Sequence, residues 1–185
     1  MAKNKRDIDL KVKQDELEST ASRLFLSLGY DGTSMNRIAR ELGVAPNTLY
    51  WYYASKDELL VGVLNRRMSD TLARLPTIAE KPLKEKMAWT LLEFEQSREL
   101  VATVHARLEQ SEVIREWHDQ FHRFVETAVI HTLRADGVAE ERAATLATVG
   151  TFLVEGLLSP PHSTRQREAI LQWFVDSSLP SQPPT

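Results

Sequence analysis

The strongest constraint on this fold is a glycine set between two short helical patterns. Met35, Ile38, Ala39 and Leu42 share one face at helical spacing. Thr33 and Ser34 stand just ahead of them, and such hydroxyls accept backbone N–H bonds at a helix start. Gly43 then supplies a residue that enters the left-handed region without a Cβ clash, which ends a helix. Val44 suits the inner side of the turn. A second short helix opens at Pro46, where a missing N–H costs nothing, and carries Asn47, Thr48, Leu49, Tyr50, Trp51 and Tyr52. Leu49 and Tyr53, four apart, are expected to face inward. Asn47, Thr48, Tyr50, Trp51 and Tyr52 then keep much of their surface outward.

Helix, short glycine turn, helix is the helix-turn-helix layout, whose second helix enters the DNA major groove with its N-terminal residues toward base edges. Pro46, Asn47 and Thr48 occupy that end. Asn binds adenine in a bidentate fashion, and Thr bonds a base edge or touches a thymine methyl. Tyr50 and Tyr52 offer hydroxyls suited to phosphate oxygens. Trp51 is equally placed for packing and for groove contact. Thr33, Ser34 and Arg37, at the start of the first helix, join the expected DNA-facing set. Ser55-Lys56-Asp57-Glu58 is a capping-box pattern that starts a further helix. Lys56 lies in its first turn, where the helix dipole prefers anions. A cation there makes sense if Lys56 and the helix terminus together hold a phosphate.

These residues resemble the DNA-binding domain of the TetR family of transcriptional regulators. The resemblance rests on GYDGTS, IARELGVA, NTLYWYY and SKDELL at these spacings and covers about a third of the chain. Ala45 departs from the small polar cap usual before the recognition helix, and Tyr52-Tyr53 stand where His-Phe is common; both departures bear on operator preference. The resemblance implies a homodimeric regulator of double-stranded operator DNA. It also implies a pocket enclosed by the middle helices, whose small-molecule effector changes the spacing of the two DNA-reading heads and releases DNA. The last two helices of each chain would form a four-helix dimer bundle.

Composition limits the alternatives. The 185 residues suffice for one or two domains with a sizeable core. The chain has no Cys, which removes disulfide frameworks and thiolate zinc sites. No apolar run approaches the ~20 residues needed to span a bilayer, and MAKNKRD lacks the apolar core of a signal peptide. A soluble cytoplasmic protein with no membrane partner is expected. Net charge is −3, and residues 1–60 hold nine Lys/Arg against nine Asp/Glu. Binding should therefore rest on geometry, local cations such as Lys3, Lys5, Arg6, Arg37 and Arg40, and two copies of the domain.

The remaining pattern predicts an all-α fold of about nine helices and no strands. Residues 1–9 read as a flexible arm, 10–60 as the three-helix DNA-binding domain with its motif at 33–52, 61–178 as a helical ligand-binding and dimerisation domain, and 179–185 as a disordered tail. Leu17, Ala21, Leu24, Phe25 and Leu28 form the stripe of a first helix over 10–29. A fourth helix runs from Ser55 to about Leu75, before Pro76. A fifth opens at Pro82, a sixth covers Ser97–Glu109, and a seventh covers Glu112–Ala135, closed by Asp136-Gly137. Met87, Phe94, Val104, His105, Trp117, His118, Phe121, His122 and Phe124 are the candidate effector lining; the same residues fit an ordinary core at helical spacing. His118 and His122, at i and i+4, share a face and could bind one metal ion, although no third ligand has defined spacing. No metal or cofactor is expected.

The last two helices, about 139–158 and 164–178, carry Ala143, Ala147, Gly150, Val154 and Leu157, then Ile170, Leu171 and Phe174. Small residues in a row allow close helix approach, so these are the candidate dimer interface, though the faces could also be buried within one chain. Glu155 in an apolar segment is expected to pair with an Arg of the same or the partner chain. There is no Gly-rich phosphate loop, no G-x-S-x-G and no H-E-x-x-H, so an enzyme is not expected. The competing class is a helical small-molecule-binding or catalytic protein that uses the helix-turn-helix only as scaffold.

Overall fold

The computed structural model describes residues 5–135, 137–158 and 162–178. Among these residues every regular element is helical: α1 (Lys5–Leu28), α2 (Met35–Glu41), α3 (Pro46–Tyr52), α4 (Lys56–Arg74), a 3-10 turn (Leu75–Ile78), α5 (Leu83–Glu95), α6 (Arg98–Arg107), α7 (Glu112–Ala135), α8 (Glu140–Leu158) and α9 (Thr164–Ser178). None of these helices is long and apolar enough to cross a membrane. The expected bounds hold closely except at the start. Helix α1 begins at Lys5, so residues 5–9 are helical rather than an arm. No Gly or Pro interrupts them, and a helix nucleated further along propagates through such a segment at little cost. Residues 1–4 with Lys3, Asp136, the Ser159–Pro161 break and the 179–185 tail lie outside the described residues.

Local chemistry sets the helix ends. Gly29, Gly43 and Gly137 all have positive φ, and each follows a helix. Ser34 Oγ accepts from the N–H of Arg37 at 3.2 Å and caps α2. Ser55 Oγ accepts from Glu58 N at 3.1 Å, and a Glu58 carboxylate oxygen reaches one residue past the cap to accept from Ala54 N at 2.8 Å at the start of α4. Ser163 and Gln166 exchange the reciprocal bonds of a capping box before α9.

The chain divides into two compact units. The first runs to Ala73 and takes in Glu99–His118; the second comprises Arg74–Arg98 and the chain from Asp119 onward. The boundary therefore departs from the expected break at residue 60. The reason is the first unit's core, in which Leu17, Phe25, Ile38, Leu49, Leu59, Leu60 and Val63 pack together with Leu100, Val104 and Ile114 from α6 and α7. Each such side chain, fully buried, contributes about 1.5–3 kcal/mol, so α4 and α6 belong energetically to the first unit. Leu28, expected on the stripe of α1, is its last residue and is exposed.

In the second unit α5 packs on α8 and α9. Met87, Leu91, Ala143, Ala147, Leu157, Leu171 and Phe174 are buried there. Leu133, Val138 and Ala143 form a further cluster with Val129, Ile130 and Leu146 against it. At Gly150 an added Cβ would stand 3.6 Å from the Phe174 ring, so the small residue admits α9 at close range. Arg167 and Arg98 both pair with Glu95.

Candidate nucleic-acid interface

Helix α3 presents the side chains a groove reader needs. Leu49 and Tyr53 are buried and anchor it to the core, as the spacing predicts. Pro46, Asn47, Tyr50 and Trp51 are exposed, and Thr48 and Tyr52 are partly so. Trp51 is 68% exposed, which decides between its two readings: it is not a packing residue within this chain. Its ring stands edge-on to Tyr52 at 4.7 Å between centroids. Helix α3 has no side-chain N-cap bond, since Ala45 offers none. Ser34 and Arg37 are exposed at the start of α2, with the Ser34 hydroxyl occupied as the cap.

Two expected DNA-facing residues are corrected. Thr33 is fully buried; its hydroxyl donates toward Gly29 O at 2.9 Å and Leu24 O at 3.3 Å, so it braces the end of α1. It cannot reach a phosphate. Lys56 is not a free phosphate anchor. Its ammonium donates to Tyr30 O at 2.9 Å and Thr33 O at 3.0 Å, and stands 3.9 Å from the centroid of the Tyr30 ring. Burial lowers its pKa. The cation that looked misplaced in a first helical turn is satisfied by carbonyls of the preceding loop.

Next to it lies a polar cluster that sequence reasoning missed. Arg107 grips Asp57 with two parallel bonds, Nε to Oδ1 at 2.7 Å and Nη2 to Oδ2 at 2.9 Å. The Tyr30 hydroxyl donates to Asp57 Oδ1. Burial pushes the Asp57 carboxyl up, but hydrogen bonds from Arg107, Tyr30 and Ser111 outweigh it and hold the group below the usual carboxylate range. Burial, then the bond to Asp57, pushes the Tyr30 phenol well above its ordinary value. A second cluster seats α3 on α1: the Tyr53 hydroxyl donates to buried Glu18 and accepts from Gln14 Nε2 at 2.9 Å. The Tyr53 ring in turn fills the space beside Gly62, where an added Cβ would come within 2.7 Å of its oxygen.

The exposed α3 face, the glycine turn and the caps together have the geometry of a helix-turn-helix. Residues 18–63 match the family of bacterial regulatory proteins described as the tetR family. Over this segment the chain is similar to the tetR family. A relative over this segment is the uncharacterized HTH-type transcriptional regulator YuxN of Bacillus subtilis (strain 168), 35% identical over 72 residues, which are 39% of this chain and 25% of the relative. An HTH-type transcriptional regulator of Staphylococcus aureus (strain USA300) is 40% identical over 58 residues, 31% of each protein. The chain thus spans only about a quarter to a third of these curated relatives. The TetR fold extends further. A regulator of the TerR/AcrR family from Aquifex aeolicus VF5 superposes with a TM-score of 0.69 at 16% identity, over 89% of this chain and 98% of that one. A TetR-family regulator from Mesorhizobium loti gives 0.70 at 20% identity, over 90% and 95%. A transcriptional regulator from Saccharomonospora viridis, solved in complex with choline, gives 0.67 at 20%, over 90% and 96%. At these identities the likeness is one of fold.

The residues expected to line an effector pocket fall in both units. In the first, Val104 is core, the Trp117 indole N–H donates to Asn65 Oδ1 at 2.7 Å, and the rings of His105 and His118 meet at 5.5 Å. In the second, Met87 is buried, Phe94 meets Phe121 edge-on at 6.0 Å, and His122 stands 3.1 Å from the Glu155 carboxylate. Phe124 is exposed. Each histidine of the expected i, i+4 pair thus has its own neighbour, and Glu155 pairs with His122 rather than an Arg.

The expected dimer residues also need correction. Ala143, Ala147, Leu157, Leu171 and Phe174 are buried within one chain and are unavailable to a partner. Gly150, Val154 and Ile170 are half-buried. The large apolar side chains that α8 and α9 leave outside are Val149, Phe152 and Trp173, the last two 67% and 70% exposed. Nothing in the spacing separated these from their buried neighbours, because a helix between two partners is apolar on more than one side.

Proposed function

We propose that the protein is a homodimeric transcriptional regulator, a repressor of the cytoplasm that binds a palindromic operator and is released by a small-molecule effector. The single observation that carries this reading is the exposed face of α3, with Asn47, Tyr50 and Trp51 outward on a helix fixed by buried Leu49 and Tyr53. A scaffold helix has no reason to leave Trp51 in water, whereas major-groove recognition requires outward polar and apolar groups at this end. The names of the relatives as HTH-type transcriptional regulators support the same reading.

Asn47 is the base reader, with Pro46 and Thr48 beside it. Tyr50, Tyr52 and Arg37 take phosphates, Ser34 lies at the same edge, and Trp51 rests against the groove wall. The neutral charge of this half of the chain makes one copy a weak binder, so a twofold partner matched to a palindrome supplies the affinity. Val149, Phe152 and Trp173 supply the partner contact. The effector is taken by the helical body, with Met87, Phe94, Phe121 and His122 as its candidate contacts; ligand capture by this fold has a precedent in the choline complex above.

Selection of binding sites from random duplexes tests the base assignment. Asn47→Ala is expected to relax preference at one position per half-site, with a loss of about 1–3 kcal/mol; an unchanged site profile would remove Asn47 from base reading. A thermal-shift screen of small molecules then tests the effector, since a ligand bound to the folded state alone raises the melting temperature.

A further inference from the structure

The reading surface stands on a short loop, and that loop is held from outside the helix-turn-helix. Lys56 bonds the carbonyls of Tyr30 and Thr33, the residues that lead into the cap at Ser34. The Tyr30 ring has the Lys56 ammonium at 3.9 Å and the Arg107 guanidinium carbon at 4.9 Å from its centroid. Its hydroxyl ends on Asp57, and Asp57 is gripped by the fork of Arg107, 50 residues further along and the last residue of α6. All of these groups lie in the first unit. A bidentate charge-assisted pair is stronger and more directional than a neutral hydrogen bond. Arg107 is therefore able to fix both the Asp57 carboxylate and, through it, the Tyr30 phenol.

We infer that Arg107 is a positioning residue for DNA recognition. It acts through Asp57 and Tyr30 to fix the loop between α1 and α2, and so the N-terminus of α2, without touching DNA. The inference rests on the DNA-reading role proposed above. Besides the Thr33 hydroxyl bonds to Gly29 O and Leu24 O, the Thr33 N–H to Tyr30 O bond at 3.1 Å and the packing of the Tyr30 ring on Phe25, the loop's polar ties run through Lys56 and Asp57. Losing the fork would leave Asp57 held by Tyr30 and Ser111 alone, and the Tyr30 hydroxyl on a carboxylate no longer fixed from α6. A lysine at 107 keeps the charge but not the two-pronged geometry.

The test uses the full chain, its operator duplex in fluorescence anisotropy at several salt concentrations, and urea melts of each variant. Arg107→Ala is expected to weaken binding on the order of tenfold at a temperature where it is fully folded. The slope of log affinity against log salt should stay that of the wild type, because no phosphate contact is lost. Arg107→Lys should recover part of the loss. The double variant D57A/R107A should bind no worse than D57A alone, since both act along one path. The inference is overturned if R107A binds as tightly as the wild type, if its only effect is a lower melting midpoint, or if the two losses multiply. A salt slope reduced by about one would also overturn it, since Arg107 would then meet a phosphate itself. A wild-type chain that bound no duplex would overturn the proposed function first, and is recognised before any variant is made.

Discussion

Thr33 shows how one residue's burial reassigns its role. With no exposed surface and two carbonyls within reach of its hydroxyl, it is part of the scaffold. Thr33→Val keeps its shape and removes those bonds, leaving buried acceptors unsatisfied at a cost of about 1–3 kcal/mol. Urea unfolding should show that loss, with the salt slope of DNA binding unchanged; weaker binding at unaltered stability would restore Thr33 to the interface. Asp57 carries a pH signature. Its carboxyl titrates lower in the folded chain than in the unfolded one, so the unfolded state takes up the proton first as the medium acidifies. The stabilisation is complete above about pH 4, the ordinary carboxylate value, and fades as pH falls toward and through the folded value. Asp57→Asn should flatten that acid limb in a melting-temperature profile; an identical limb in the variant would place the effect elsewhere. Neither fact was legible in the sequence. A hydroxyl before a helix reads as a cap whether it is buried or not, and the Asp57–Arg107 pair joins residues 50 apart with no shared period.

Elements were far more legible than the contacts between them. The Gly43 break, the Pro46 start and the Ser55 and Ser163 caps are local chemistry, and each stands where the sequence puts it. Helix α1 starts early because nothing in residues 5–9 stops it. What periodicity could not show is which elements share a core: α6 joined the first unit through Leu100 and Val104, side chains with nothing to mark them from those of α5. The contact of α3 with α4 is also invisible in a linear reading, yet it is demanding. Gly62 leaves room for the Tyr53 ring, and an added methyl would meet its oxygen at 2.7 Å. Gly62→Ala should therefore destabilise the first unit by about 1–3 kcal/mol through overpacking, despite the better helix propensity of alanine. A chemical denaturation midpoint equal to or above the wild type would show that Tyr53 yields easily.

For the whole molecule, the proposal needs two reading heads. Val149 and Phe152 share a strip of α8, and Trp173 is left outside on α9. Large apolar side chains so exposed mark an interaction surface more often than chance placement. The double variant F152E/W173E should sediment as a monomer while keeping its helical signal, and should bind a half-site and a full palindrome with similar weak affinity. A variant that remained dimeric would move the interface off this face. The central claim remains that the outward face of α3 holds DNA. The most direct measurement is an anisotropy titration of the duplex from the protein's own upstream intergenic region with the wild type and with Y50A/W51A. Both residues are half or more exposed, so the variant should match the wild-type melting curve within about 0.5 kcal/mol. It should lose the specific complex and keep only salt-sensitive nonspecific binding. Equal affinity of the two proteins for that duplex would contradict the account.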